Sequence, residues 1–405
     1  MNISRVLKII IKNLGYLSLY LLKLFIKKRN IILLESSSHY RYGGNPKYIY
    51  EYLSKNISYD VYWLTESKKI KQYLDSKGFK YLSNSSFIYK FYTILRAKII
   101  ISSGTSFYDP FYFISRDKNL VKICTMHGSG PKLTIARKYN NKESLRIVKD
   151  INSFDYVSFC TEHASKIVGV NQLFLPLERI RLLGAPKNDV LFDVDYVNHH
   201  YNNRNLLKQI VNENINGKVI YYVPTYRPYK SKLPIKFLLG FDEEKFYNFL
   251  EDENIFFIYS DHPSSLFTSD LEENNRIIKI NFEDNPLFDN IELMMETDIL
   301  IGDYSTLSTD FSIMKRPQIF IMPDYVKHNK IKGMAEDIRS LLPGIEVETF
   351  DSLCLSIKKY LNNKNKFNDD YGDKIDKLHD RYVGQDLTES RKLFSEFIID
   401  ILENS

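Results

Sequence analysis

From Asn30 onward the chain repeats one unit: a short β-branched run, a loop, then a helical pattern. No other feature constrains the fold as strongly. Short apolar strands that alternate with helices are built into parallel, doubly wound sheets. Candidate strands in the first half are Ile31–Glu35, Asp60–Leu64, Ile99–Ser102, Val121–Thr125, Tyr156–Phe159 and Ile180–Leu183. The second half offers Val219–Val223, Ile255–Tyr259, Ile277–Asn281, Asp298–Ile301 and Gln318–Met322. Between them the polar stretch Asn198–Asn205 shows no apolar periodicity and reads as a linker. A chain of 405 residues is long enough for two domains at about 100–200 residues each. The expected division is a basic amino-terminal helix over 1–29, a Rossmann-like domain over 30–200 and a second over 201–350. Helices over 351–405 would pack on both, the last one started by a capping box of Asp386 and Glu389.

Charge is placed unevenly. Before Glu35 the chain carries seven basic residues, Arg5, Lys8, Lys12, Lys23, Lys27, Lys28 and Arg29, and no acidic one. The rest of the chain holds 49 basic against 50 acidic residues. A nucleic-acid binder spreads its positive charge over a binding face; here one terminus holds the whole excess. On a helical projection five of these residues share an arc of about 100°, and Leu7, Ile10, Leu14, Leu17, Leu21 and Leu24 occupy the other side. That pattern suits a helix lying in the headgroup region of an anionic membrane, with its lysines reaching the phosphates. Packing against the protein's own body, or a spanning or signal segment, are the alternatives. Lysines interrupt the apolar run and no cleavage site follows, which argues against a signal peptide. Cys124, Cys160 and Cys354 have no metal-ligand spacing and read as buried thiols.

In doubly wound sheets ligands bind outside the carboxyl ends of the strands, so the residues just after each strand are the informative ones. Val121–Thr125 is followed by Met126-His127-Gly128-Ser129-Gly130-Pro131-Lys132. A histidine there can take a proton from an alcohol, or it can be a loop residue satisfied by backbone. Ile255–Tyr259 is followed by Ser260-Asp261-His262-Pro263. His262 can donate to a phosphate oxygen or cap a helix. Asp298–Ile301 runs into Gly302-Asp303-Tyr304-Ser305-Thr306 and then a helical stretch to Met314. A helix start with free N–H groups and flanking hydroxyls binds phosphate readily, and capping by Ser305 or Asp303 is compatible with that. Asp310 can reach a ribose hydroxyl or face solvent. Arg227, after Val219–Val223, can pair with phosphate in a bidentate manner or lie on the surface. Gly43-Gly44-Asn45-Pro46 reads as a helix start with Asn45 as N-cap. The chain contains no Walker A, no G-x-G-x-x-G, no nucleophile elbow and no H-E-x-x-H.

Taken in order, these pieces resemble the CDP-glycerol glycerophosphotransferase family, which includes teichoic acid primases and polymerases and related capsule enzymes. The resemblance is carried by Gly44-Asn45-Pro46-Lys47-Tyr48-Ile49-Tyr50-Glu51-Tyr52-Leu53, His127-Gly128, Gly184-Ala185-Pro186-Lys187-Asn188-Asp189, Pro224-Thr225-Tyr226-Arg227, His262-Pro263 and Asp303-Tyr304-Ser305-Thr306. It implies an α/β, GT-B-like fold with two Rossmann-like domains facing a cleft, at the cytoplasmic face of the membrane. It also implies transfer of glycerol phosphate, or a related polyol phosphate, from CDP-glycerol to a hydroxyl of a polymer or lipid-linked acceptor, with release of CMP. His127 and His262 would be catalytic. Gly128, Arg227, Ser305, Thr306, Asp303 and Asp310 would hold the donor. No cofactor is expected, and no carboxylate cluster demands a divalent ion. The partners would be the CDP-polyol donor, the acceptor and an anionic membrane surface touched by residues 1–29, with no nucleic acid. A nucleotide-sugar glycosyltransferase on the same scaffold, or a silent scaffold for polymer export, are the competing expectations.

Overall fold

The computed structural model describes residues 26–36, 41–104, 117–128, 130–133, 142–211, 215–227, 229–260, 267, 270–281, 284–384 and 388–404. The amino-terminal helix expected over 1–29 falls almost wholly outside them, as do His262, Ser129 and Asp386.

Seven strands form the first sheet: β1 (Arg29–Glu35), β2 (Asp60–Leu64), β3 (Tyr81–Leu82), β4 (Ala97–Ser102), β5 (Val121–Cys124), β6 (Tyr156–Phe159) and β7 (Ile180–Leu182). Their order is β3-β2-β1-β4-β5-β6-β7, and every adjacent pair is parallel. The second sheet contains β8 (Lys218–Tyr222), β9 (Ile255–Tyr259), β10 (Ile277–Lys279), β11 (Ile299–Gly302), β12 (Gln318–Phe320) and β13 (Ile345–Glu346). Its order is β10-β9-β8-β11-β12-β13, again all parallel. Each sheet therefore reverses its winding at one place, between β1 and β4 and between β8 and β11. Those are the switch points where the strand ends splay and leave a crevice. Leu33 pairs with Ile100 and Leu34 with Ile101 across the first, and Ile220 with Ile299 across the second. Strands such as Ile31–Leu34 are apolar at every position because helices cover both faces.

All eleven strands read from the sequence are present. β3 and β13 were not expected, because two-residue edge strands carry no periodic run. The stretch read as a linker is instead a helix, Val194–Asn203, started by the Asp193 side chain and closed by Arg204 in the left-handed conformation. Among its residues only Val197 is buried, which is why no apolar period betrayed it.

Three large cores hold this frame together. One packs Ile32, Ile49, Leu53 and Trp63 of the first sheet's layer against Phe394, Ile398 and Leu402 of the last helix, Ser390–Asn404. Another packs Tyr222, Phe246 and Phe257 against Phe350, Leu353 and Ile357 of the helix Phe350–Asn362. The third joins the two halves, with Tyr48, Val190 and Leu207 on Val219, Tyr221 and Met294. The start of the last helix is satisfied from 200 residues away in sequence. The buried Asp189 carboxylate accepts the backbone N–H of Ser390 at 3.0 Å and of Arg391 at 2.8 Å.

Candidate active site

On the first sheet, β5 ends at Cys124 and the chain turns sharply at Met126, whose φ of 50° is left-handed. Met126 is directed into a core with Cys124, Phe154 and Phe159, and His127 is left exposed at the turn. Asn45 does not cap its helix, Gly44–Asn56; Gly43 occupies that position. The Asn45 carboxamide instead donates to the carbonyls of Thr125 and Met126, each at 3.0 Å.

On the second sheet, the switch-point strands β8 and β11 deliver Thr225 and Asp303. Both Asp303 oxygens accept the Thr225 N–H at 3.0 Å. Arg227 was expected at a phosphate. It is fully buried, 2.8 Å from Asp303 through Nη1 and 2.7 Å from Asp324 through Nε, with the Tyr304 ring 4.9 Å away. Its charge is already matched by two carboxylates, so it braces the loop after β11 instead of presenting a free fork. Burial alone would lower this guanidinium, but Asp303 and Asp324 carry it above its ordinary value. Asp303 faces the same way, toward Thr225 and Arg227. Asp310, expected at a ribose or in solvent, is buried in an ion pair with Lys187 and accepts from Asn188 Nδ2 at 3.0 Å.

His328 lies behind this cluster. It is fully buried, stacked on Tyr304 at 4.3 Å, and neither ring nitrogen has a hydrogen-bond partner among the described residues. Burial, with the charge of Arg227 second, pulls its imidazole down to about 4. An unfolded chain protonates the same ring near pH 6.5. Between those values the unfolded state holds more protons, so stability falls as the pH drops from about 6.5 toward 4. The loss is on the order of 3 kcal/mol when the window is crossed. In His328→Phe the acid side of the melting-temperature profile should flatten across that window. An unchanged slope would assign the acid loss to other groups.

The two halves meet where their strand-end loops touch. A Cβ added to Gly128 would lie 2.6 Å from Thr306 Oγ1, and one added to Gly130 would lie 3.1 Å from Thr306 Cγ2. Only glycine allows the His127 turn to sit this close to the helix start. Thr306 precedes the helix Leu307–Phe311, and Ser305 Oγ accepts the Leu307 N–H at 3.3 Å. Beside them the segment Pro131–Leu133 pairs with Gly333–Ala335, with a bridge between Lys132 and Met334. Lys132 is a cation that sequence reasoning did not single out, although it stands alone in a Gly-Pro turn. Its ammonium makes no ion pair among the described residues. Burial pulls it down to about 8, partly offset by Asp303. Next to the turn, a narrow crevice is lined by Asn45, Met126, Gly128, Gly184, Lys187 and Asp310. The structure thus brings Gly128 to Thr306, with His127 at the same turn, while Arg227, Asp303 and Asp310 stand behind them as braces.

Two parallel doubly wound sheets, touching through their carboxyl-end loops at a turn with an exposed histidine and a helix start, define a two-sheet α/β protein with an inter-sheet site. The chain belongs to the CDP-Glycerol:Poly(glycerophosphate) glycerophosphotransferase family, whose model matches residues 17–399. It is 27% identical over 396 residues to the teichoic acid poly(glycerol phosphate) polymerase of Staphylococcus epidermidis, covering 92% of this chain and 50% of that protein. It is 25% identical to the teichoic acid glycerol-phosphate transferase of Staphylococcus aureus, covering 84% of this chain and 87% of that one. This chain spans about half the length of the polymerases of Staphylococcus epidermidis and Bacillus subtilis. Its fold matches the solved wall teichoic acid polymerase TagF with a TM-score of 0.73 at 23% identity, over 97% of this chain and 98% of that one.

Proposed function

We propose that the chain transfers glycerol phosphate, or a related polyol phosphate, from CDP-glycerol to a hydroxyl of a teichoic-acid-like or capsule polymer, releasing CMP from a GT-B-like cleft. The observation that carries this reading is the contact of the His127 turn with the Ser305–Thr306 helix start, within a chain that belongs to this family. A TagF structure whose fold this chain shares was soaked with CDPG. In this reading Ser305, Thr306 and Gly128 hold the donor diphosphate, and Lys132, which makes no ion pair among the described residues, supplies positive charge. His262, catalytic by the family resemblance, takes the phosphate-donating role read from its sequence position after Ile255–Tyr259. Asp303, Arg227 and Asp310 fix the loops that present these groups. His127 takes the proton from the acceptor hydroxyl. That oxygen attacks the glycerol-bearing phosphorus in line, the bond to the bridging oxygen breaks, and CMP leaves with its electron pair. Such transfer depends on positioning and charge stabilisation more than on covalent chemistry. Purified protein should release CMP from CDP-glycerol only when a polymer acceptor is supplied. Turnover of a nucleotide sugar in place of any CDP-polyol would reject the donor.

The membrane reading is part of the same proposal. Among the described residues no helix is long and apolar enough to cross a bilayer. The basic, one-faced segment over 1–29 would hold the enzyme against anionic lipid at the cytoplasmic face. Deleting residues 1–25 should abolish sedimentation with phosphatidylglycerol vesicles. Unchanged sedimentation would assign the lipid contact elsewhere.

A further inference from the structure

We propose that Asn45 is a positioning residue for His127, acting through the left-handed turn at Met126. The inference rests on the base role given to His127 above. In an extended strand successive carbonyls point in opposite directions. A positive φ at Met126 swings the Thr125 and Met126 carbonyls to one side, and a single NH2 group reaches both at 3.0 Å. A left-handed methionine is uncommon and persists only where its surroundings over-determine it. Three contacts do so here: the Asn45 carboxamide holds both carbonyls, the Thr125 hydroxyl donates to the Met126 carbonyl at 3.1 Å, and the core with Cys124 and Phe159 holds the side chain. Together they send Met126 inward and the next residue, His127, outward.

The third bond of Asn45 extends the arrangement. Its Oδ1 accepts the Lys187 N–H at 3.2 Å, and the Lys187 ammonium pairs with Asp310, in the helix that follows Ser305 and Thr306. One side chain, 2% exposed, therefore ties the His127 turn to the loop that locks the opposing helix. Only a carboxamide offers two donors and an acceptor on so short a stem. Alanine would take the Asn45 partner from the Thr125 carbonyl and the Lys187 N–H in a buried place, and would leave the Met126 carbonyl to the Thr125 hydroxyl.

The test uses the full chain and three proteins: wild type, Asn45→Ala, and Asn45→Ala combined with Met126→Gly. Two readouts are followed, CMP release from CDP-glycerol and the pH dependence of His127 carbethoxylation, measured by peptide mass spectrometry. Asn45→Ala should lower kcat about 100-fold while leaving the donor KM within a few fold, since a misplacement on the order of 1 Å costs that much. Glycine adopts positive φ freely, so the double variant should regain about tenfold in kcat. It should also melt lower than the single variant, because the buried Met126 side chain is gone. A residue that merely supported the fold would make kcat follow the melting temperature down. Unchanged kcat in Asn45→Ala, or a double variant no more active than the single one, overturns the proposal. Carbethoxylation separates this from the reading of function. If the wild type releases no CMP from any CDP-polyol, that reading fails, yet the positioning stands if the His127 profile shifts in Asn45→Ala and returns in the double variant. Superimposable His127 profiles in all three proteins overturn the positioning by themselves.

Discussion

His127→Ala should abolish acceptor-dependent CMP release and leave donor binding and melting temperature close to those of the wild type. The side chain is exposed at its turn and contributes little to any core, so its removal is local. Loss of a positioned base costs about 100- to 10,000-fold in rate. The donor diphosphate is assigned to Ser305 and Thr306 at the opposing helix start and to Gly128 and Lys132 along the turn, none of which the substitution removes, so KM for CDP-glycerol should move little. Steady-state kinetics at saturating acceptor decide the matter. A large rise in KM with kcat preserved would make His127 a donor ligand and would leave the proton acceptor to be found.

Arg227→Met should be severely destabilising, by about 3–5 kcal/mol, because it strips a buried guanidinium from the buried Asp303 and the partly buried Asp324. Burial alone would raise the Asp324 carboxyl. The Arg227 charge and hydrogen bonds, with the hydroxyls of Tyr229 and Tyr304, hold it below its ordinary value instead. Without Arg227 that restraint disappears, and the loop after β11 loses the brace that sets Tyr304, Ser305 and Thr306. Arg227→Lys should fall between the two, since one ammonium cannot reproduce a fork bonded to both partners. Urea denaturation at neutral pH gives the difference directly. A methionine variant within about 1 kcal/mol of the wild type, with a raised donor KM, would return Arg227 to the phosphate role that its sequence position suggested.

Much of the architecture was legible because parallel strands buried on both faces leave continuous apolar runs. Ile31–Leu34 and Ile255–Tyr259 read as strands without any knowledge of their neighbours. The helix Val194–Asn203 was not legible, because a single buried valine gives no period. At the site, sequence position located the strand-end residues but not the direction in which each one faces. Arg227 stands just after β8 and Asp310 in the helix after β11, yet both spend their charge on partners that lie about 75 to 125 residues away along the chain. Asn45 is similar: its place after two glycines suggests a cap, but the bonds it makes depend on a turn 80 residues later. Pairings of that range leave no trace in local pattern. Lys132 could have been found, since it is a single cation in a Gly-Pro turn after a strand-end histidine.

The last helix has a consequence for how the molecule is made. Phe394, Ile398 and Leu402 complete the apolar layer of the first sheet, and the helix that carries them is started by Asp189. The ribosome therefore delivers the first sheet's final packing surface only after the whole second sheet has emerged. Until then the early half is a nascent unit with one flank uncovered, exposed to chaperones and to other chains. Domains usually mature from the amino terminus onward. In this molecule the two halves are sealed together only once residues 390–404 have emerged, and a ribosome stalled before residue 390 would leave the first sheet unable to finish folding.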